Sequence, residues 1–301
     1  MYRHLLVPLD GSPLAESALP ATVEVARLFD SSVTLLHVIE LRPPSTVHGV
    51  RHLGDPDEAE AYLSAVENWL LGRGVRATRH VHAQRMEAAR GVAEHARELS
   101  ADLVVLCAHG GRGMRGLLHG RLGQQVVAEA HTPVLVVPAS TAGRDAAWSC
   151  RRILAALGTE PEEGDVLEPA IAFARAARAS LGLVVVVATT DTVSDDRRWP
   201  ARLLPGGAKK MLESEKRQAV ERLGRLQEEL AAQGFEVRAV VERGETVSGL
   251  ADAAERLDAD LIVLATRGLS GLSAVWGGSV AARLIEGVEL SLLLTPRAPS
   301  G

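Results

Sequence analysis

One stretch decides the fold: Asp260-Leu-Ile-Val-Leu-Ala-Thr-Arg-Gly268-Leu-Ser-Gly-Leu-Ser-Ala-Val-Trp-Gly-Gly278-Ser279-Val280. Its first apolar run predicts a buried strand, and the glycines that follow lead to a helix beginning near Ser279. The start of a helix carries unpaired N–H groups and a partial positive charge, and glycine lets the backbone come close to a ligand. The stretch therefore predicts an anion site between a strand and a helix.

An altered copy of this layout lies earlier in the chain, from Asp102-Leu-Val-Val-Leu-Cys-Ala-His-Gly110 to Gly120-Arg121. Other strands also recur in the same order, since Ile153 to Leu157 matches Leu5 to Leu9, and Leu183 to Thr190 matches Val33 to Glu40. An ordered repetition of this kind indicates an internal duplication.

The Ser-, Thr-, Gly- and Asp-containing segment between the two copies predicts a linker. We therefore expect a first domain at residues 1–139, a linker at 140–150 and a second domain at 151–301. In each half, helical segments alternate with strands that are apolar on both faces, which is typical of an open, doubly wound parallel sheet covered by helices. Ligands of such sheets bind beyond the carboxyl ends of the strands, where the winding reverses, here after strands one and four of each half.

Composition excludes several classes of partner. The net charge of −5 over 301 residues offers no general attraction to nucleic acid. No apolar run approaches the length of a membrane span, and no signal peptide precedes Met1, so we expect a cytoplasmic protein with no membrane partner. Two cysteines do not form a disulfide framework.

The sequence resembles the universal stress protein family, as two tandem copies that cover nearly the whole chain. In the first half the resemblance rests on Val7-Pro8-Leu9-Asp10-Gly11-Ser12, Leu36-His37-Val38 and Ala101-Asp102-Leu-Val-Val-Leu. In the second half it rests on Ala265-x-x-Gly268, nine further residues, then Gly278-Ser279, followed by Leu290-Ser-Leu-Leu-Leu-Thr-Pro296.

The resemblance implies two five-stranded sheets of the flavodoxin-like, adenine nucleotide alpha hydrolase-like type, packed as a pseudo-dimer. It also implies ATP, with Mg²⁺, as the ligand: the triphosphate over the glycine loop and helix start, the ribose on the acid after the first strand, and the adenine against the ends of strands one and two. The binding residues that it implies are Pro8, Asp10, Val38, Gly110, Gly120, Arg121, Ala156, Ala265, Gly268, Gly278, Ser279 and Val280.

Neither half keeps the complete pattern of the ATP-binding branch. In the second half, Ala265 replaces the first glycine and Gly158 replaces the ribose acid. In the first half Asp10 is present, but Cys107 takes the first glycine position and Arg121 takes the position of Ser or Thr. The ribose end is thus kept in one half and the phosphate end in the other.

Three interpretations of Arg121 remain open. With Arg112 and Arg115 it binds phosphate by charge, since the guanidinium fork matches phosphate oxygens. Alternatively it occupies the phosphate position and closes the site, or the three arginines are simply solvated on a loop. Asp10 likewise is a ribose contact or a helix cap rather than a lone general base.

We expect a stress-response regulator that binds an adenine nucleotide in one or both halves, with no catalytic residue and at most slow ATP hydrolysis. The alternative is a dimeric scaffold that binds no nucleotide; an enzyme such as a ligase would need a further catalytic motif. The fifth strands, Pro133 to Pro138 and Leu290 to Pro296, resemble those through which the family pairs its domains, and a homodimer through these edges is expected.

Three other motifs favour ordinary structural roles. The run Gly111-Arg-Gly113-Met-Arg-Gly116 matches a dinucleotide fingerprint but follows the fourth strand instead of the first. His80 and His82 share one face of a strand, which is compatible with a metal, but no third ligand is near in sequence, so solvated edge histidines are favoured and no metal is expected. Cys107 lies where a small residue is needed, which favours packing over redox chemistry.

Overall fold

The fold is described from a computed structural model of the chain. It describes residues 1–41, 46–47, 50–108, 126, 129–140, 142–159, 164–192, 205–266 and 280–296. Strands and helices alternate along the chain, as the sequence predicts. The strands are β1 (His4–Pro8), β2 (Ser32–Glu40), β3 (Thr46–Val47), β4 (Val50–Arg51), β5 (Arg76–Met86), β6 (Leu103–Ala108), β7 (Val134–Pro138), β8 (Arg152–Leu157), β9 (Ser180–Val187), β10 (Val237–Arg243), β11 (Leu261–Thr266) and β12 (Ser291–Pro296). The helices are α1 (Ala18–Phe29), α2 (Pro56–Leu71), α3 (Ala88–Glu98), α4 (Gly164–Ala177), α5 (Pro205–Ala232), α6 (Thr246–Arg256) and α7 (Val280–Gly287).

The chain divides into two compact units. The first contains Met1–Ser149 and Ala265–Gly301, and the second contains Cys150–Leu264. In the first unit the strand order is β5-β2-β1-β6-β7-β12, with all neighbours parallel except β7 and β12. In the second unit the order is β10-β9-β8-β11, and all neighbours are parallel.

The sheet strands of the two repeats have the same order. When these strands are numbered along the chain within each repeat, the order is three-two-one-four: β5-β2-β1-β6 in the first repeat and β10-β9-β8-β11 in the second. In the first repeat the fifth strand, β7, lies beside β6. Strand one therefore lies between strands two and four, and the winding reverses beside it. The predicted doubly wound α/β fold is confirmed.

The fifth strands of the two repeats pair antiparallel within the first unit, with Leu135 opposite Leu293. Both side chains are fully buried. The predicted edge-to-edge pairing of the repeats is therefore observed. Because β7 is hydrogen-bonded to β6 on one side and to β12 on the other, its edge is already occupied, and the expected homodimer cannot use it.

A short 3₁₀ turn precedes the first α-helix, and Pro20 lies near the start of that helix. Ser12 Oγ accepts a hydrogen bond from the N–H of Ala15 at 3.1 Å, at the start of the 3₁₀ turn at Ala15–Ser17. The α-helix begins only at Ala18, so Pro20 falls in its first turn, where a missing N–H leaves no hydrogen bond unmade. Pro20 is therefore compatible with the first turn of the α-helix.

Two further elements lie at the surface of their units. The strand that carries His80 and His82, β5, runs to Met86 and lies at the edge of the first unit's sheet, beside β2. Most side chains of the charged helix α5 are exposed or half-buried, and its buried side chains are Leu212, Ala219, Leu223 and Leu230, on the face towards β9 and β10. Among the described residues, no helix is long and apolar enough to cross a membrane.

Candidate functional site

Asp10 lies just beyond the carboxyl end of β1, beside the point where the winding of the first repeat reverses. Its Oδ1 accepts a hydrogen bond from the N–H of Ser12 at 2.8 Å, which fixes the turn that follows the strand. The side chain remains partly exposed. Asp10 is therefore a turn cap whose carboxylate still meets solvent, and this arrangement fits a ribose contact.

Two further titratable side chains, Cys107 and Tyr62, lie near this carboxylate. Cys107, near the end of β6, is close enough to Asp10 for the carboxylate to oppose ionisation of the thiol. Burial is the larger cause, and together they raise the pKa of Cys107 to about 12, although a hydrogen bond with Ser17 opposes the rise. Burial also raises the pKa of Tyr62, and the carboxylates of Glu16 and Asp10 add to this effect. Thiol and phenol both stay protonated near neutral pH.

A segment ahead of α2 packs against the carboxyl ends of β1 and β2. The ring of His37 lies between two carbonyl oxygens, with Nδ1 2.7 Å from Leu9 O and Nε2 3.0 Å from Leu53 O. Gly11 has φ +86°, and a Cβ there would lie 2.5 Å from Leu53 Cδ1. Glycine is therefore required after Asp10 both for its backbone conformation and for space.

The other described candidates of the first repeat belong to the sheet itself. Pro8 ends β1 and is partly exposed, opposite Leu36 of β2. Val38 is 7% exposed and packs under α3, where a Cβ at Gly91 would lie 2.9 Å from its methyl groups. The candidates Gly110, Gly120 and Arg121 lie outside the described residues, so the interpretations of Arg121 stay open.

The second repeat has a cation where the first has Asp10. Arg222 of α5 donates hydrogen bonds to the carbonyl oxygens of Gly158 and Thr159, the two residues that follow β8. Ala156 lies two residues earlier in β8, opposite Leu264 of β11. At the position that corresponds to Asp10, the second repeat therefore has Gly158, whose carbonyl accepts from a guanidinium. A carboxylate that could accept hydrogen bonds from ribose hydroxyl groups is missing at this position.

The remaining candidates of the second repeat fall in the first compact unit. Ala265 belongs to β11 and Val280 begins α7, and both are partly exposed. Gly268, Gly278 and Ser279 lie outside the described residues. Their role in holding a phosphate therefore stays a prediction.

Comparison with known proteins identifies the family. The sequence profile of the Universal stress protein family matches residues 1–138 and again residues 149–296. The chain belongs to the universal stress protein family. It carries the family's domain twice, in tandem.

Single-domain relatives each match about half of this chain. Universal stress protein MJ0531 of Methanocaldococcus jannaschii is 28% identical over 144 residues, which cover 46% of this chain and 82% of that protein. Universal stress protein Sll1654 of Synechocystis is 30% identical over 142 residues, which cover 46% of this chain and 87% of that protein.

Solved structures match the tandem arrangement. A universal stress protein from Archaeoglobus fulgidus has a TM-score of 0.74 at 16% identity, covering 98% of this chain and 96% of that chain. A functionally unknown protein from Pseudomonas aeruginosa has a TM-score of 0.64 at 18% identity, covering 98% of this chain and 93% of that chain. At these identities the similarity supports the fold.

Sequence reasoning missed two residues that line these strand ends. Tyr62 could have been found, because it adjoins the apolar stripe of α2 formed by Ala59, Leu63, Val66 and Leu70. Arg222 could not, because its partners Gly158 and Thr159 lie more than sixty residues away in a different element.

Proposed function

We propose that this tandem universal stress protein binds an adenine nucleotide and acts as a regulator with little or no catalytic activity. The observation that carries the proposal is the position of Asp10, a partly exposed carboxylate at the winding reversal of a doubly wound sheet. Open parallel sheets bind ligands in the crevice at this point. Membership of the universal stress protein family makes an adenine nucleotide the natural ligand class.

The two halves would use different ends of the ligand. In the first half, Asp10 accepts hydrogen bonds from the ribose hydroxyl groups. In the second half, Gly268, Gly278 and Ser279 offer backbone N–H groups and a hydroxyl to the phosphates, with Mg²⁺ balancing their charge. The proposal assigns none of these groups a role as general base or nucleophile, so any hydrolysis would be slow. We also propose that the protein acts in the cytoplasm.

A second candidate function is a scaffold that binds no nucleotide. The observation that favours a scaffold is that the groups at the strand ends already make hydrogen bonds within the protein. Asp10 accepts from the N–H of Ser12, and Arg222 donates to the carbonyls of Gly158 and Thr159. A scaffold of this kind would present its surfaces to a protein partner or to a second copy of the chain.

Native mass spectrometry of freshly purified protein separates the two candidates. The nucleotide-binding proposal expects a mass increment of one or two adenine nucleotides per chain, which becomes smaller in an Asp10→Asn variant. Asp57→Asn is the matched control, because Asp57 is an exposed acid in the first turn of α2. Protein that carries no nucleotide, even after incubation with ATP and Mg²⁺, would favour the scaffold.

A further inference from the structure

Three histidines from two elements of the first unit meet in one cluster. His80 and His82 lie two residues apart on β5, so their side chains share one face of the sheet, and His95 lies on α3. One ring nitrogen from each residue lies within 4.8 Å of the others. The third ligand that the sequence did not reveal is therefore present, thirteen residues beyond His82.

The rings of the three histidines pack against one another. His95 Nε2 is 3.0 Å from His82 Nδ1, and the ring centroid of His95 lies 4.6 Å from that of His80. His95 is buried, His82 is half-buried and His80 is exposed. His80 is thus solvated, as the sequence predicts for an edge histidine, whereas His82 is only partly so, and the cluster is open to solvent on the side of His80.

Metal ions bind the neutral imidazole, because a neutral ring keeps a lone pair whereas a protonated ring has none to donate. The ring of His95 is buried against the rings of both other histidines, with its centroid 5.0 Å from that of His82.

A carboxylate orients the buried ring. Glu98 Oε2 is 3.1 Å from Nδ1 of His95, so Nδ1–H donates to the carboxylate and Nε2 carries the lone pair that faces His82. Metal-binding histidines commonly donate their second N–H to a carboxylate in this way. Nδ1 of His82 faces Nε2 of His95, so the two atoms can bind one ion once the proton between them is displaced.

We propose that His80, His82 and His95 bind a divalent transition-metal ion of the zinc class, with a fourth position open to water on the exposed side. Zinc–nitrogen bonds of about 2.0–2.1 Å in a tetrahedral site place the ligand nitrogens roughly 3.3 Å apart. The observed nitrogens span 3.0 Å to no more than 4.8 Å, so small side-chain rotations bring them into position. The ion takes the place of the proton shared between His82 and His95. Glu98 is the positioning residue.

The test is a calorimetric titration of Zn²⁺ into the full chain without an affinity tag, after treatment with a chelator and without nucleotide. We expect one strong site per chain. His80→Ala removes the exposed ligand and should weaken binding by about tenfold or more, and Glu98→Gln should weaken it by about ten- to a hundredfold while every ligand is kept. Circular dichroism checks that each variant is folded.

His131→Asn is the matched control, because His131 is exposed, lies outside the cluster and has φ +56°, a backbone conformation that Asn tolerates. It should bind Zn²⁺ as the unaltered chain does. Equal affinity of the unaltered chain and His80→Ala, or no saturable binding by the unaltered chain, would overturn the site. Unchanged affinity in Glu98→Gln would overturn the role of Glu98. Since no nucleotide is present, the outcome is independent of the nucleotide proposal.

Discussion

Arg222 Nη1 lies 3.2 Å from the carbonyl oxygen of Thr159, and the same guanidinium donates to the carbonyl of Gly158. This contact joins the middle of α5 to the carboxyl end of β8. The corresponding turn of the first repeat is held instead by Asp10, which accepts from Ser12. Corresponding strand ends of the two repeats are therefore stabilised by side chains of opposite charge. Where Gly158 replaces the acid, a hydrogen bond from Arg222 replaces the one that Asp10 accepts in the first repeat.

Arg222→Ala should destabilise the second unit, because two strand-end carbonyls lose their donor. We expect a loss of about 1–2 kcal/mol, allowing for the partial exposure of the site. Faster hydrogen–deuterium exchange in residues 152–159 would locate the effect. Arg225→Ala, an exposed position on the same helix, should change stability by less than about 0.5 kcal/mol. Equal effects of the two variants would contradict this role.

Gly11→Ala should cost more stability than Gly74→Ala. Both glycines have positive φ, +86° and +76°, so each alanine costs about 1–2 kcal/mol for the left-handed backbone. Only at Gly11 would the added Cβ also meet a neighbour, Leu53, whereas nothing lies within 4 Å at Gly74. Urea unfolding measures both losses. If Gly74→Ala is as costly as Gly11→Ala, the packing of Leu53 against this turn is wrong.

Cys107 and Cys150 should resist thiol reagents in the folded protein. Both are buried free thiols, and burial raises the pKa of each, so the reactive thiolate is scarce at pH 8. Because a raised thiol pKa favours the neutral form until the pH approaches it, reactivity should stay low through the neutral range. A chromogenic disulfide reagent should label both cysteines only after denaturation in guanidinium chloride. Rapid labelling of the native protein would instead support redox chemistry at Cys107.

A truncated chain of residues 1–139 should dimerise. Without β12, the buried apolar edge of β7 loses its antiparallel partner, and an exposed apolar edge favours pairing with a second copy. Light scattering should give twice the mass of the truncated chain, and the full chain should lack this route to association. A monomeric truncated chain at micromolar concentration would show that the β7–β12 pairing contributes little.

The sheet was predictable because its strands are continuous apolar runs. The run beginning at Val33 and the run beginning at Leu103 are buried on both faces, which is typical of strands in a parallel sheet that is covered by helices. Strand ends are less well defined by sequence, because polar and charged residues continue through β5 to its end at Met86.

The side-chain clusters were not predictable, because they depend on packing between distant elements. His95 meets His82 only because α3 lies across β5, and helical periodicity alone does not fix which turn contacts which strand residue. Arg222 reaches Gly158 for the same reason. The position of Asp10 could be predicted because it is local to the end of β1, and the hydrogen bond that it accepts from Ser12 is likewise local.

Calorimetric titration with ATP and Mg²⁺ measures whether the protein binds an adenine nucleotide through Asp10 and the segment that carries Gly278. We expect saturable binding that is weakened in Asp10→Asn, weakened in Gly278→Val, and lost when the two changes are combined. Asp57→Asn should bind as the unaltered chain does. Absence of saturable binding by the unaltered chain, or equal binding by the unaltered chain and the double variant, would contradict the nucleotide-binding proposal.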